Sequence, residues 1–357
     1  MLAVLEDWLA PRQARVVVNG ALSESIDMSD MVYQGTVFDP CFWNICYSDA
    51  REAIIRAGCL EIIFADDLNA FQVFDSSVSN DMFYNHVRGC QTELHQWGRA
   101  NGVQFDPVKE YFRILSRSSP DGDIFKHLGV PFDCKLLMHE AIDHCARESG
   151  WRTRGILHCR RFYTLRELFL LYKSHVLSFI EYRTPAISHA ASSALSLLDC
   201  VQERFTRALG VSEEDALLQF CLAPLAARRD MAILGLIHRT ALGLGPSMFE
   251  EFFVLDRSSA PSRALRSSSR RHSRQLRNPC HARAPEYLLQ SPLGAVRLYN
   301  ILPESIVSQS SVKDFQRGLQ ALLCHSASAR TRDWQRLFCW RGPPAFHPLR
   351  AFSYWRP

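Results

Sequence analysis

The sequence predicts an α+β protein, and three observations carry that prediction. An apolar run with strand character, Leu60 to Phe64, breaks at Ala65-Asp66-Asp67 and resumes to Phe74, the pattern of a β-hairpin. After Gly129 apolar residues recur at three and four positions, the spacing of packed helices. From Asp256 onward there are 17 Lys/Arg against 5 Asp/Glu, or +12, which leaves −8 for residues 1–255 of a chain whose net charge is +4. A mixed, mildly acidic body is therefore followed by a basic tail.

Taken in order, residues 2–10 have the apolar spacing of a helix that Pro11 stops. Residues 14–19 read as a short strand closed by the turn dipeptide Asn19-Gly20. Asp75 to Asn80 is small and polar, a surface loop. From Met82 to Ala100 a helix is expected, with Phe83, Val87, Cys90, Leu94 and Trp97 on one face and Asn101-Gly102 ending it. Phe105 to Leu115 has strand character, with Lys109 at its centre, and Ser116 to Gly122 is a polar turn. Leu165, Leu168, Phe169, Tyr172, Val176, Phe179 and Ile180 mark one helical face, and Leu195, Leu198, Val201, Phe205 and Leu209 another. Met231 to Leu244 makes a further helix that ends at Gly243, Gly245 and Pro246.

Residues 257–283 hold eight arginines among serines with no acid, a composition unable to bury enough apolar surface to fold alone. Disorder is expected there, with attraction to phosphates, the role of a linker or that of a nuclear-localisation patch as competing uses. Order returns over 284–323, and the stretch from Ala327, rich in Trp and Pro, reads as irregular. The twelve cysteines are scattered with no CxxC pair, which suits reduced thiols in an intracellular protein. Cys280-His281 and Cys324-His325 lack the spacing of zinc sites. Glu6 and Asp7 interrupt the only apolar patch at the N-terminus, and no apolar run reaches about eighteen residues. The expectation is a nuclear or cytoplasmic chain with no membrane partner.

Chemistry enters at Asp66-Asp67. Two carboxylates at one point repel unless a cation neutralises them, and oxygen ligands of this kind suit Mg²⁺ or Mn²⁺. An exposed Asp-Asp turn satisfies the same pattern.

The neighbouring motifs favour the metal. Phe64-Ala65-Asp66-Asp67 resembles the catalytic box of reverse transcriptases. Upstream, Tyr33-Gln34-Gly35-Thr36-Val37-Phe38-Asp39-Pro40 resembles their Gln-Gly segment. Leu94, Trp97, Asn101 and Lys109 resemble the next box, and His127-Leu128-Gly129-Val130 the Leu-Gly turn. The order and spacing resemble those of non-LTR (LINE-like) retrotransposon enzymes over most of residues 1–255. The Asn-Ile-Leu-Pro of Asn300–Pro303 and the Ser-Val-x-x-Phe of Ser311–Phe315 resemble a segment that often closes such proteins.

The resemblance implies a partial polymerase palm over 1–135, a helical thumb-like region over 136–255, a disordered linker over 256–283 and a C-terminal segment over 284–357. It implies RNA-directed DNA polymerase chemistry, with an RNA template, a DNA primer and a dNTP as partners. Asp66 and Asp67 would be catalytic and hold Mg²⁺ or Mn²⁺, Gln34 and Gly35 would shape the nucleotide pocket, and Lys109 would lie near the triphosphate. Arg204, Arg207, Arg270, Arg271 and Arg274 are the candidate nucleic-acid contacts. Two features depart from the family. Asp39 stands where a small residue is usual, and no strand-then-aspartate precedes Tyr33, so the first catalytic box is missing from this sequence. The expectation is an N-terminally truncated polymerase remnant, inactive alone, whose metal site forms only if completed. The alternative is a non-catalytic protein that binds nucleic acid through the thumb-like region and the arginine-rich tail.

Overall fold

In the computed structural model the described residues are 2–28, 37–75, 77–256, 272–280, 284–341, 347–352 and 355. They form a mixed α/β chain of many helices and small antiparallel sheets, divided into two compact units at Phe112/Arg113. Gln34 and Gly35 lie outside the described residues, as do Arg270 and Arg271.

The first unit begins with α1 (Leu2–Leu9), which ends before Pro11 as the proline requires. Strands β1 (Gln13–Ala14), β2 (Val17–Val18), β3 (Ala21–Leu22) and β4 (Ile26–Asp27) pair as β1–β4 and β2–β3. Asn19 (φ +50°) and Gly20 (φ +82°) supply the left-handed pair that a two-residue hairpin needs. Helix α2 (Asp39–Arg56) starts with Pro40 in its first turn and buries Tyr47, Ala50, Ala53 and Ile54. Strands β5 (Leu60–Phe64) and β6 (Asp67–Phe71) pair antiparallel over five residues. Helix α3 (Asn80–Ala100) is capped by the Ser79 hydroxyl, which accepts from the Met82 amide, and packs on α2.

Alternation along β5 decides which side of the hairpin is covered. Ile63 and its cross-strand partner Leu68 pack against Tyr47, Ala50, Ala53 and Trp97 of the helices. Leu60, Ile62 and Phe64 point the other way and are 55, 41 and 61 % exposed.

The strand expected over 105–115 does not form, for a local reason. A Cβ on Gly98 would lie 2.6 Å from the Val103 carbonyl oxygen and 2.9 Å from the Phe105 ring, so the chain doubles back onto α3 at once. Phe105 stacks on His95, and the Asp106 carboxylate accepts from the Val108 amide to close a turn. The Glu110 carboxylate is then bonded to His95 and Gln91 of α3, and pairing within the stretch is limited to an isolated bridge from Ile114 to Asp121 among the described residues. Lys109 stands in that turn.

The second unit opens with β7 (Phe125–His127) and β8 (Val130–Phe132), joined through Leu128 (φ +47°) and Gly129 (φ +75°). Val130 and Phe132 pack with the helices that follow, so this hairpin belongs with them rather than with a first domain ending at 135. Helix α4 (His139–His158) packs on α8 (Ser192–Ala208). The segment between them is α5 (Leu165–Tyr172), started by a Thr164/Glu167 capping box, a π turn at Lys173–Leu177, α6 (Ser178–Glu181) and α7 (Thr184–Ile187). Ile142, Cys145, Phe169, Tyr172, Ile180, Leu198 and Phe205 make its core.

Helices α9 (Glu213–Phe220) and α10 (Leu225–Ala241) share a second core with α12 (Pro292–Tyr299), α13 (Glu304–Val307) and α14 (Val312–Ser328), while α11 (Glu286–Gln290) has no buried residue. The C-terminal stretch is irregular in backbone but not in role. Trp334, Leu337, Phe338, Trp340 and Leu349 are buried against α10, α12 and α14. The expectation of disorder fails for 272–280, because His272 and Leu276 are buried and Asn300 bonds both the amide and the carbonyl of Leu276. No helix among the described residues is long and apolar enough to cross a membrane.

At the centre of this second core His238 lies parallel to Phe315 at 4.0 Å. Its Nε2 donates to the Gln309 carbonyl at 3.1 Å, so Nδ1 accepts from the Tyr299 hydroxyl at 2.9 Å. Burial pushes this imidazole down to about 4. The neutral ring is thus preferred in the folded state, and its stabilising effect is full above the unfolded value of about 6.5 and is lost as pH falls toward 4. Asp230, whose carboxyl desolvation raises to about 8, acts in the opposite sense, so the contribution of His238 is best read as a difference. Between pH 7 and pH 5 the wild type should lose about 2 kcal/mol of unfolding free energy relative to His238→Gln, as measured by urea denaturation. Parallel pH profiles for the two proteins would contradict this.

Candidate functional site

The site is the tip of the β5–β6 hairpin. Phe64 and Asp67 form its last cross-strand pair, so Ala65 and Asp66 alone make the turn. Ala65 has φ +53° at the first turn position, which hairpins of this length usually give to glycine. A side chain in that region costs roughly 1–2 kcal/mol. The Trp43 indole Nε1, from α2, donates to the Ala65 carbonyl at 2.7 Å and offsets about 1 kcal/mol of it. Trp43 in turn stacks on Tyr47 at 5.0 Å, and Tyr47 meets Trp97 of α3 edge-on at 5.4 Å. Three aromatic rings from two helices thereby fix the turn's backbone.

The two acids are placed differently. Asp67 opens β6 and, by register, shares the outward face with Phe64. Asp66 leaves the ladder and lies close enough to Tyr47 for its charge to act there. Burial first, and then the Asp66 carboxylate, hold the Tyr47 phenol above its ordinary value. Both aspartates are exposed. Adjacent carboxylates at an open tip are hard oxygen donors of the type that Mg²⁺ and Mn²⁺ accept together with water and phosphate oxygens. Among the described residues no group of three or more His, Cys, Asp or Glu side chains is placed to hold a metal, so the hairpin offers two ligands and not a closed shell.

The other expected residues have surroundings of their own. The Lys109 ammonium is 84 % exposed, lies 3.8 Å from Asp106 and makes no ion pair with Asp66 or Asp67. Arg204 and Arg207 are exposed on α8, with Arg207 at 3.9 Å from Glu203. Arg274 is turned inward and donates to the carbonyls of Val307 and Gln309. Cys280 is buried beside the Leu288 carbonyl, and Cys324 accepts from Gln320.

Trp43 is the residue that sequence reading passed over. Its signal was the aromatic pair Trp43/Tyr47 at helical i, i+4 spacing just before the hairpin.

Compared with known proteins, the chain matches no family model, no curated protein and no solved structure.

If Asp66 is the acid that faces α2, Asp66→Asn should lower the Tyr47 phenol toward its ordinary value, while Asp67→Asn leaves it in place. Titration of ¹³C-labelled tyrosine by NMR checks this, and equal responses to both substitutions would refute the placement.

Proposed function

We propose that residues 1–112 hold part of the palm of an RNA-directed DNA polymerase of the non-LTR retrotransposon kind, with Asp66 and Asp67 as its metal-binding acids. The observation that carries this reading is the hairpin tip. The Phe-Ala-Asp-Asp segment closes a two-residue turn whose backbone is held, against its own preference, by the helix that links it to the Gln-Gly segment. Strain kept in place at a turn of charged residues is a pointer to use rather than to stability.

In such a site Mg²⁺ or Mn²⁺ would supply charge neutralisation for an in-line attack of a primer 3′-hydroxyl on a dNTP α-phosphate. The work of this chain's own residues is narrower. Asp66 and Asp67 would hold the ion, Trp43 and Tyr47 would hold the turn that presents them, and Gln34, Gly35 and Lys109 would border the nucleotide. A site that clamps two ions about 3.5–4 Å apart takes carboxylates from more than one strand. Among the described residues no third acid joins the two at the tip, so the function proposed for this chain is that of an incomplete site, inactive alone. Its counterpart is the helical second unit, read as the thumb-like part that would contact an RNA template and its DNA primer.

Primer extension on an RNA template with Mg²⁺ or Mn²⁺ should give no product above background. Robust extension abolished by Asp66→Ala would show that the missing carboxylate is supplied by another residue. Extension indifferent to Asp66→Ala would remove the proposed site altogether.

A further inference from the structure

Helix α4 carries a second, unrelated constellation. Ala141, Ile142, Cys145, Ser149 and Thr153 make its buried face. On the opposite face His144, Arg147, Trp151, Arg154 and His158 follow one another at steps of three and four, all exposed. Trp151 is 69 % exposed, an unusual position for the largest apolar side chain on a helix with a well-filled core beneath it.

Trp151, Arg152, Arg154, Ile156, His158 and His175 line an open concavity of about 650 Å³ with no acid in its lining. Two features build it. The π turn at Lys173–Leu177 brings His175 to its rim, and Arg152 fixes that turn by donating to the His175 carbonyl at 3.0 Å while lying 3.9 Å over the Phe179 ring. Gly155, four residues after Trp151, sits where a longer side chain would reach back across the indole, and a Cβ there meets nothing within 4 Å. A glycine inside a helix destabilises it by roughly 1 kcal/mol relative to alanine, yet here it leaves the ring uncovered.

We propose that this concavity binds single-stranded nucleic acid, with an unpaired base stacked on Trp151 and the adjoining phosphates on Arg154 and His158. A bare indole bordered by guanidinium and imidazole groups matches the alternation of base and phosphate along one strand. A paired base inside a duplex has no free face to offer it. An acidic peptide would use the cations and leave the ring idle. The inference concerns the unit read above as thumb-like but does not rest on polymerase chemistry, because neither Asp66 nor the hairpin enters it.

The test is fluorescence anisotropy of a labelled oligouridylate, about 12 nucleotides long, with the full chain at about 0.3 M salt, where contacts to phosphate alone are weakened. Trp151→Ala should weaken binding about 10-fold or more, and Trp151→Tyr should largely restore it. Gly155→Leu should weaken binding as Trp151→Ala does without lowering the melting temperature, which separates a covered ring from a damaged fold. No binding by the wild type, binding indifferent to Trp151→Ala and Gly155→Leu, or displacement by oligoglutamate as readily as by unlabelled RNA would each overturn the proposal.

Discussion

The hydrogen bond from the Trp43 indole to the Ala65 carbonyl is the constraint on which the geometry of the first unit depends. A two-stranded hairpin is marginal in water on its own. This one exists because Ile63 and Leu68 press into the α2–α3 layer, and because an indole from that layer holds the turn in a backbone conformation that alanine resists. The Tyr47 and Trp97 rings behind Trp43 carry the restraint through to the second helix. The position of the tip is therefore a property of the helices as much as of the hairpin.

The uncovered face follows from the same arrangement. Leu60, Ile62 and Phe64 lie opposite Phe71, Asn69 and Asp67 on the side that no helix covers among the described residues. An apolar strand face of this kind, with both strand edges open, favours association and lowers solubility. The second unit shows the contrary economy. Its two cores are filled by apolar stripes from helices on either side of the arginine/serine stretch, and even its irregular C-terminal turns bury Trp334, Trp340 and Leu349.

Much of this was legible in the sequence where local and global preferences agree. Asn19-Gly20, the alternation of β5, and the stripes of α3, α5, α8 and α10 each state their structure through a single period or turn chemistry. Legibility failed where a long-range contact overrode local character. Phe105 to Leu115 has strand composition, but the close approach at Gly98 and the Glu110–His95 bond fold it onto α3. Residues 272–280 look like the polar stretch before them, but Leu276 finds Asn300 and Arg274 finds the carbonyls of Val307 and Gln309. At the tip, the sequence named Asp66 and Asp67 from a motif. The motif itself did not show that the Asp66 charge would act on the Tyr47 phenol, and Lys109 pairs instead with Asp106.

As metal-binding acids, Asp66 and Asp67 would draw a divalent cation to the hairpin tip. The most direct measurement is paramagnetic broadening of backbone amide signals in ¹⁵N-labelled protein titrated with Mn²⁺. Broadening should begin at Phe64 to Leu68, spread next to Trp43 and Tyr47, and disappear in the Asp66→Asn/Asp67→Asn double variant. Broadening that starts elsewhere, or that survives the double substitution at these amides, would contradict it.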